Sequence, residues 1–390
     1  MKKILISAVA AGALLGQLSA FEVLNDGEKS LSVFGVAKAV AGYGYNFSQE
    51  KGGKVQRGTY PSEFIYGIQG NSRVGLSFTY GKVFGAALLG AAESTFYNDN
   101  AVDDKGKKWS PKGGFRQLYA GYDFGDAGKI LAGKNEIATS MSGFSSSIFD
   151  TESGLQGFGG TSTSTRRFQV AYMLDGFTIQ VSENDVNNID ALGNKSIPRF
   201  TIGYDYNADG LTSKVAASYT NASRKATQHI ALVTAGAKYA LGDAGYVSGL
   251  LTYGLNSHLV GESKIANPSL ERGYGNVSVS GYDKYALKGS SDNTNIVSVA
   301  VEYGTNLTDD LKFIVGGGYQ YATKARKGDK PSVGANNNDG QLHSYSAFVQ
   351  LPYNVGGGFS IIPQVGYLGT TAYKTNTGNV LAEVLFNLAF

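Results

Sequence analysis

The chain has 390 residues, with 54 glycines, 25 tyrosines, 20 phenylalanines, seven prolines, one tryptophan, no cysteine and a formal net charge of +3. The absence of cysteine excludes disulfides, thiol catalysis and thiolate metal centres, and the near-balanced charge gives no footing for nucleic-acid binding. Mean hydropathy is −0.14, and no segment beyond residue 20 approaches the ~20 apolar residues of a membrane helix. A glycine- and aromatic-rich chain of this kind could enter a membrane only as strands, whose apolar and polar faces average out.

Residues 1–20 read as a secretory leader. Lys2 and Lys3 precede an apolar core from Ile4 to Leu15, followed by Gln17-Leu-Ser-Ala20 ahead of Phe21. The core is too short for a membrane anchor, and no cysteine follows to allow lipoprotein processing. The expected organisation is a cleaved leader over 1–20 and a single β-barrel over 21–390.

Beyond the leader, strand-like alternation recurs throughout. The expected strands are 31–47, 71–80, 83–95, 114–124, 128–136, 166–174, 176–184, 199–207, 212–222, 229–240, 244–256, 294–304, 310–322, 342–352, 357–369 and 380–390. Val74, Leu76, Phe78 and Tyr80 oppose Arg73, Gly75, Ser77 and Thr79; Phe200, Ile202, Tyr204 and Tyr206 oppose Arg199, Thr201, Gly203 and Asp205. Val297, Val299, Val301 and Tyr303 likewise oppose Ser298, Ala300 and Glu302. Sixteen strands is an even number, as expected of a bacterial barrel; other divisions of 48–70 or 257–293 would give fourteen or eighteen. Tight joints carry turn chemistry, as at Gly81-Lys82, Gly125-Asp126, Asp175-Gly176, Asp209-Gly210 and Gly242-Asp243. They alternate with longer joints at 48–70, 96–113, 137–165, 185–198, 223–228, 257–293, 323–341 and 370–379. Short turns on one rim and long loops on the other is the polarity of outer-membrane barrels. Three details fit less well: 229–240 alternates weakly, Gln117 falls on the apolar parity of its strand, and Pro363 inside 357–369 calls for a bulge.

The last strand is the most telling. Leu388, Phe386, Val384, Ala382 and Val380 share one face, Asn387 and Glu383 the other, and the strand ends on Phe390. About 9–11 residues suffice for a tilted strand to cross a bilayer.

Three blocks resemble the general diffusion porins of Gram-negative outer membranes. They are Asn71-Ser-Arg-Val-Gly-Leu76 with Phe84-Gly-Ala-Ala-Leu88; Arg116-Gln-Leu-Tyr-Ala-Gly-Tyr-Asp-Phe-Gly125 with Gly128-Lys-Ile-Leu-Ala-Gly-Lys-Asn135; and Gly157-Phe-Gly-Gly160 through Arg166-Arg167 to Asp175-Gly-Phe177. The resemblance implies an all-β, sixteen-stranded transmembrane antiparallel barrel whose third loop, Glu136 to Thr165, folds inward. It implies a homotrimer in contact with outer-membrane lipid and lipopolysaccharide, and a C-terminal strand ending in Phe390 that the barrel-assembly machinery reads. It also implies a basic pore wall of Arg73, Arg116 and one of Arg166 or Arg167, with Lys38 as a further member, facing the loop acids Asp150 and Glu152. Arg167 is favoured over Arg166 because it shares parity with Gln169 and Ala171. The family places an acid just before its Phe-Gly-Gly; here that position is Gly157.

The residues themselves support the inward arginines. An arginine facing lipid near the midplane costs about 2–4 kcal/mol, and the parity of Arg73 and Arg116 agrees. For each arginine the alternative is a solvated residue at a loop base, and for Asp150 and Glu152 an ordinary polar loop. Asp99, Asp103 and Asp104 lack the spacing of a calcium loop, and His229, His258 and His343 match no zinc pattern. The triglycines at 316–318 and 356–358 are expected to permit close packing. No catalytic constellation, cofactor motif or metal site is found. The expected function is a water-filled channel for passive diffusion of ions and small hydrophilic solutes, not an enzyme. The alternatives are a porin that prefers one substrate, and a surface adhesin or receptor using loops 257–293 and 323–341.

Overall fold

Alternating side chains leave each segment with one face for lipid and one for the interior, and only a closed sheet satisfies every backbone group in that setting. The computed structural model describes residues 20–50, 55–68, 72–90, 114–148, 155, 157–160, 166–184, 195–223, 227–260, 263, 293–323, 341–372 and 375–390. The barrel strands are β1 (Lys29–Glu50), β2 (Val55–Ile68 and Arg73–Tyr80), β3 (Val83–Gly90), β4 (Gly114–Asp123), β5 (Lys129–Glu136), β6 (Arg166–Leu174), β7 (Phe177–Ser182) and β8 (Arg199–Ala208). They continue as β9 (Leu211–Ser223), β10 (Thr227–Ala240), β11 (Tyr246–Leu255), β12 (Asn295–Asn306), β13 (Lys312–Ala322), β14 (Leu342–Gln350), β15 (Phe359–Ala372) and β16 (Thr375–Ala389). Each pairs antiparallel with its neighbours, and β16 closes the ring on β1 from Val36↔Ala389 to Glu50↔Thr375. The result is an all-β closed barrel of sixteen antiparallel strands.

Outward residues are apolar and often aromatic. Near the short-turn rim Tyr122 packs tilted against Phe124 with ring centroids 4.8 Å apart, Phe177 likewise against Tyr204 at 4.5 Å, and the Tyr303 hydroxyl donates to the Ala244 carbonyl at 2.8 Å. Near the opposite rim the Tyr219 and Tyr319 hydroxyls bond the Nδ1 atoms of His229 and His343 at 2.8 and 2.6 Å, which accounts for two of the three histidines. Rings with one wet end on both borders of an apolar band are what a membrane interface selects.

Short turns form as their chemistry requires. Asp175 and Gly176 have φ of 47° and 84°, and Asp209 and Gly210 have 53° and 77°, so both hairpins use two consecutive left-handed residues. The other rim differs from the sequence expectation. Joint 48–70 is not a long loop: 55–68 is strand and pairs with an extended β1, Tyr43 opposite Phe64 and Ala41 opposite Tyr66. Joint 370–379 likewise shrinks to 373–374, because β15 and β16 pair as far as Ala372↔Thr375. Joint 223–228 shrinks to 224–226 for the same reason. These extensions carry polar β-formers such as Thr371, Thr375 and Thr377 rather than an apolar alternation, which is why pattern alone missed them.

The three misfits have local causes. Segment 229–240 alternates weakly because its inner residues Ile230 and Leu232 are themselves apolar and fully covered. The register between β3 and β4 slips between Leu88↔Gln117 and Leu89↔Phe115, so Arg116 occupies a bulge. That extra residue lets Phe115 face outward while Gln117 faces inward, where its amide donates to Asn135 Oδ1 at 3.0 Å. Pro363 needs no bulge of its own and pairs in register with Val384. Its carbonyl accepts from Leu351 N–H at 3.0 Å, so its proton-less nitrogen faces the stretch where β14 has already ended at Gln350.

The seam between β16 and β1 is closed by the terminal residue. Phe390 N–H donates to the Gly35 carbonyl at 3.0 Å, and Gly35 N–H to the Phe390 carbonyl at 2.7 Å. The Phe390 ring covers Gly35 so closely that a Cβ there would sit 2.5 Å from its Cζ. Gly35→Val should therefore lose about 1–3 kcal/mol through overpacking, read as a lower urea midpoint for the heat-modifiable barrel on a gel. An unchanged midpoint would mean the ring is not seated there.

Candidate pore and its constriction

The third loop leaves β5 and turns into the barrel. Ala138 N–H donates to Gln180 Oε1 on β7 at 2.9 Å, and its methyl group lies beside Gly203 of β8. The Phe144 carbonyl accepts from Ser248 of β11 at 2.7 Å, while the Phe144 ring fills the space a side chain at Gly236 of β10 would need. Ser146 then donates through its backbone N–H (2.7 Å) and hydroxyl (2.8 Å) to the Glu302 carboxylate of β12. The same carboxylate accepts from the Tyr246 hydroxyl at 2.6 Å. Gln350 of β14 donates to the Ser146 carbonyl at 2.8 Å, and Ile148 N–H donates to Gln364 Oε1 of β15 at 3.0 Å. The Ile148 side chain ends among Val40 of β1 and Leu385 of β16.

The loop returns over β13 and β14. Ser344 donates to the Gly157 carbonyl, Ser346 to the Phe158 carbonyl at 2.9 Å, and the Gly159 backbone lies directly on Gly318. Met141, Phe144, Leu155 and Phe158 pack with wall residues such as Ala216, Leu250 and Ala300 into one apolar cluster. Burying each such side chain is worth about 1.5–3 kcal/mol. The loop is therefore hydrogen-bonded to the inner wall from β7 round to β15, with Ile148 packed against β16 and the edge of β1, and the glycines at 203, 236 and 318 are the seats that let it approach.

The wall left over, β1 to β6, carries the basic residues. Arg73 shares its inward face with Gly75, Ser77 and Thr79. Lys38 is within electrostatic reach of both Arg73 and Arg116. Its backbone N–H and carbonyl are bonded not by a strand partner but by the Ser72 hydroxyl, at 2.9 and 3.2 Å, where the two parts of β2 meet. The Arg116 stem lies against Gly90, whose missing side chain makes room for it.

The two adjacent arginines on β6 diverge. Arg167 does share the inward parity of Gln169 and Ala171, but it is buried, and its Nη2 donates to the Val260 carbonyl at 2.7 Å. Arg166 instead forms an ion pair with Glu136 at 3.0 Å and interacts electrostatically with Arg73. The structure thus groups Lys38, Arg73, Arg116 and Arg166 with Glu136, and sets Arg167 apart. Asp150 and Glu152 lie outside the described residues, as do Asp99, Asp103, Asp104 and residues 336–339. Among the described residues no cluster of three or more potential metal ligands occurs.

Sequence reasoning did not single out Arg199, Glu136 or Glu302. All had a readable signal: Arg199 and Glu302 sit on the inward parity of their strands, and Glu136 ends the strand that enters the loop.

No protein-family model and no curated protein matches the chain. Solved structures do. The outer membrane channel DcaP of Acinetobacter baumannii superposes with a TM-score of 0.60 at 14% identity, over 94% of this chain and 99% of that one. The anion-selective porin from Comamonas acidovorans gives 0.55 at 14% identity, over 93% and 100%. This chain has the fold of the Gram-negative outer-membrane porins. OmpT of Vibrio cholerae, folded in vitro and in its trimer form, gives 0.50 at 12% identity, over 92% and 99%. At such identities the porin fold is what is shared.

Proposed function

We propose that the chain, freed of residues 1–20, forms a homotrimer of water-filled channels in a Gram-negative outer membrane. Ions and small hydrophilic solutes cross by passive diffusion, without a cofactor or catalysis. The carrying observation is the third loop, bonded inside the barrel along one side, with Lys38, Arg73, Arg116 and Arg166 grouped within electrostatic reach on β1, β2, β4 and β6. A gap comparable to the ~8–10 Å Debye length screens the wall's field only in part. The trimer form of Vibrio cholerae OmpT supports the trimeric part of the reading. Lipid and lipopolysaccharide cover the outer belt, and the strand ending in Phe390 is the segment the barrel-assembly machinery would read.

In planar bilayers, stepwise single-channel conductance should rise without saturating between about 0.1 and 1 M KCl, less steeply than bulk conductivity, because the basic wall enriches anions most at low salt, where the Debye length is about 10 Å rather than about 3 Å. Current that saturates with one solute would favour a substrate-preferring porin instead. A folded barrel that gives no steps would refute the channel.

A second reading concerns ion sign. The wall groups four cations with one described carboxylate, Glu136, which is already paired with Arg166. That balance favours anions at the narrowest point. The Comamonas acidovorans porin, described as anion-selective, is compatible with it.

A further inference from the structure

β11 ends in an abrupt reversal. Asn256 has φ of +53°, a conformation Asn tolerates better than most residues. Its carboxamide nitrogen donates to the His229 carbonyl at 2.9 Å and to Asn293 Oδ1 at 3.0 Å, and its own Oδ1 accepts Thr294 N–H at 2.8 Å. One side chain therefore ties together both ends of the β11–β12 loop and sends the chain back over the inner wall. Ser257–Val260 forms a single 3-10 turn against β10. Gly254 lacks the side chain that would collide with Ser257, and the hydroxyls of Ser257 and Ser263 bond at 2.8 Å.

Two arginines hold the far end of the turn. The Val260 carbonyl accepts from Arg167 Nη2 at 2.7 Å and from Arg199 Nη2 at 3.2 Å, and both Val260 and Arg199 are 0% exposed. The turn lies on the long-loop side of the third loop. Gln169, next below Arg167 on the inner face of β6, already bonds the Glu136 carbonyl at 3.0 Å, where the third loop begins.

We propose that this turn is a second constriction element, and that Arg167 and Arg199 are positioning residues holding Ser257–Val260 inside the lumen so that solutes pass along Lys38, Arg73 and Arg116. The proposal rests on the channel reading given above.

The turn also carries His258, which is 2% exposed and has no hydrogen-bond partner for either ring nitrogen among the described residues. Burial pushes its pKa down from 6.5 to about 4. Among the described residues, the charged groups bonded to the turn are Arg167 on β6 and Arg199 on β8. β10 and β11 present Ile230, Leu232, Thr234 and Thr252 there, while His229 lies on the outer face and Lys238 near the short-turn rim. The released turn takes up a proton near pH 6.5 and the docked one only near pH 4, so docking weakens as pH falls through that interval.

The test uses the full chain folded into planar bilayers and into liposomes swollen with sugars of increasing size. The R167Q/R199Q double variant should raise conductance and admit larger sugars at neutral pH, whereas R167K/R199K should stay near wild type. Acidification from about pH 7 to about pH 4 should raise wild-type conductance, and His258→Phe should flatten that response, since phenylalanine keeps the buried ring and cannot titrate. Should the glutamine variant fail to fold, the His258→Phe comparison decides alone. Unchanged conductance and size limit in R167Q/R199Q, or the same acid response in His258→Phe as in wild type, would overturn the second constriction. Absence of conduction in wild type would instead remove the channel reading beneath it.

Discussion

Replacing Glu302 with alanine should release the third loop and raise single-channel conductance. Its carboxylate accepts three hydrogen bonds at 2.6–2.8 Å, two from Ser146 and one from Tyr246. Hydrogen bonds to charged groups contribute about 1.5–3 kcal/mol each, and donors left buried and unpaired add their own penalty. A net loss of about 3 kcal/mol would raise the released population about a hundredfold. Gly318→Val should act on the returning half of the loop by steric means. A Cβ there would lie 2.6 Å from the Phe158 carbonyl oxygen and 2.9 Å from Gly159 Cα, both backbone atoms that cannot swing aside. Both variants should keep the heat-modifiable barrel, because Glu302→Ala leaves the ladder untouched and the new Cβ at 318 comes no nearer than 3.0 Å to a ladder atom, the Val299 carbonyl oxygen, and both should pass larger sugars. If conductance and size limit match wild type in both, the loop does not narrow the pore.

Neutralising the basic wall should change ion selectivity more than conductance. Two unit charges about 8 Å apart interact by about 0.5 kcal/mol even in bulk water. Arg73→Gln with Arg116→Gln therefore removes about 1 kcal/mol of attraction for an anion and about 1 kcal/mol of repulsion for a cation, roughly a thirtyfold change in the unscreened anion-to-cation ratio. The reversal potential in asymmetric KCl should move toward cation preference, and the effect should shrink at high salt as screening increases. A reversal potential that stays put would mean that Lys38, Arg73 and Arg116 do not line the ion path.

Much of the barrel was legible because period-2 alternation is the direct imprint of lipid on one side and water on the other. Val74 to Tyr80 and Val380 to Leu388 show it plainly, and the Asp-Gly hairpins fixed the short rim. Toward the long-loop rim that imprint fades. The long-loop ends of β1, β2, β15 and β16 are still paired, yet the sequence around Ser48, Thr375 and Thr377 carries no apolar alternation to advertise it. Phe64, Tyr66 and Ile68 were the one visible hint inside 48–70.

The site was legible at the level of direction and not of pairing. Parity turned Arg73 and Arg167 inward, but it could not reveal that a carbonyl from a loop far along the chain already occupies Arg167. The bulge at Arg116 shifted the phase of its own strand, which is why Gln117 looked misplaced. The wall glycines 203, 236 and 318 read as strand glycines. Their purpose becomes visible only once the loop backbone lies on them.

The most direct test of the central claim is a swelling assay on liposomes containing the wild-type chain, with folding verified by heat modifiability. An open ring narrowed by an inward loop predicts rapid uptake of small sugars with a sharp decline as solute size increases. Liposomes that stay impermeable despite a folded barrel, or that admit large and small sugars alike, would contradict it.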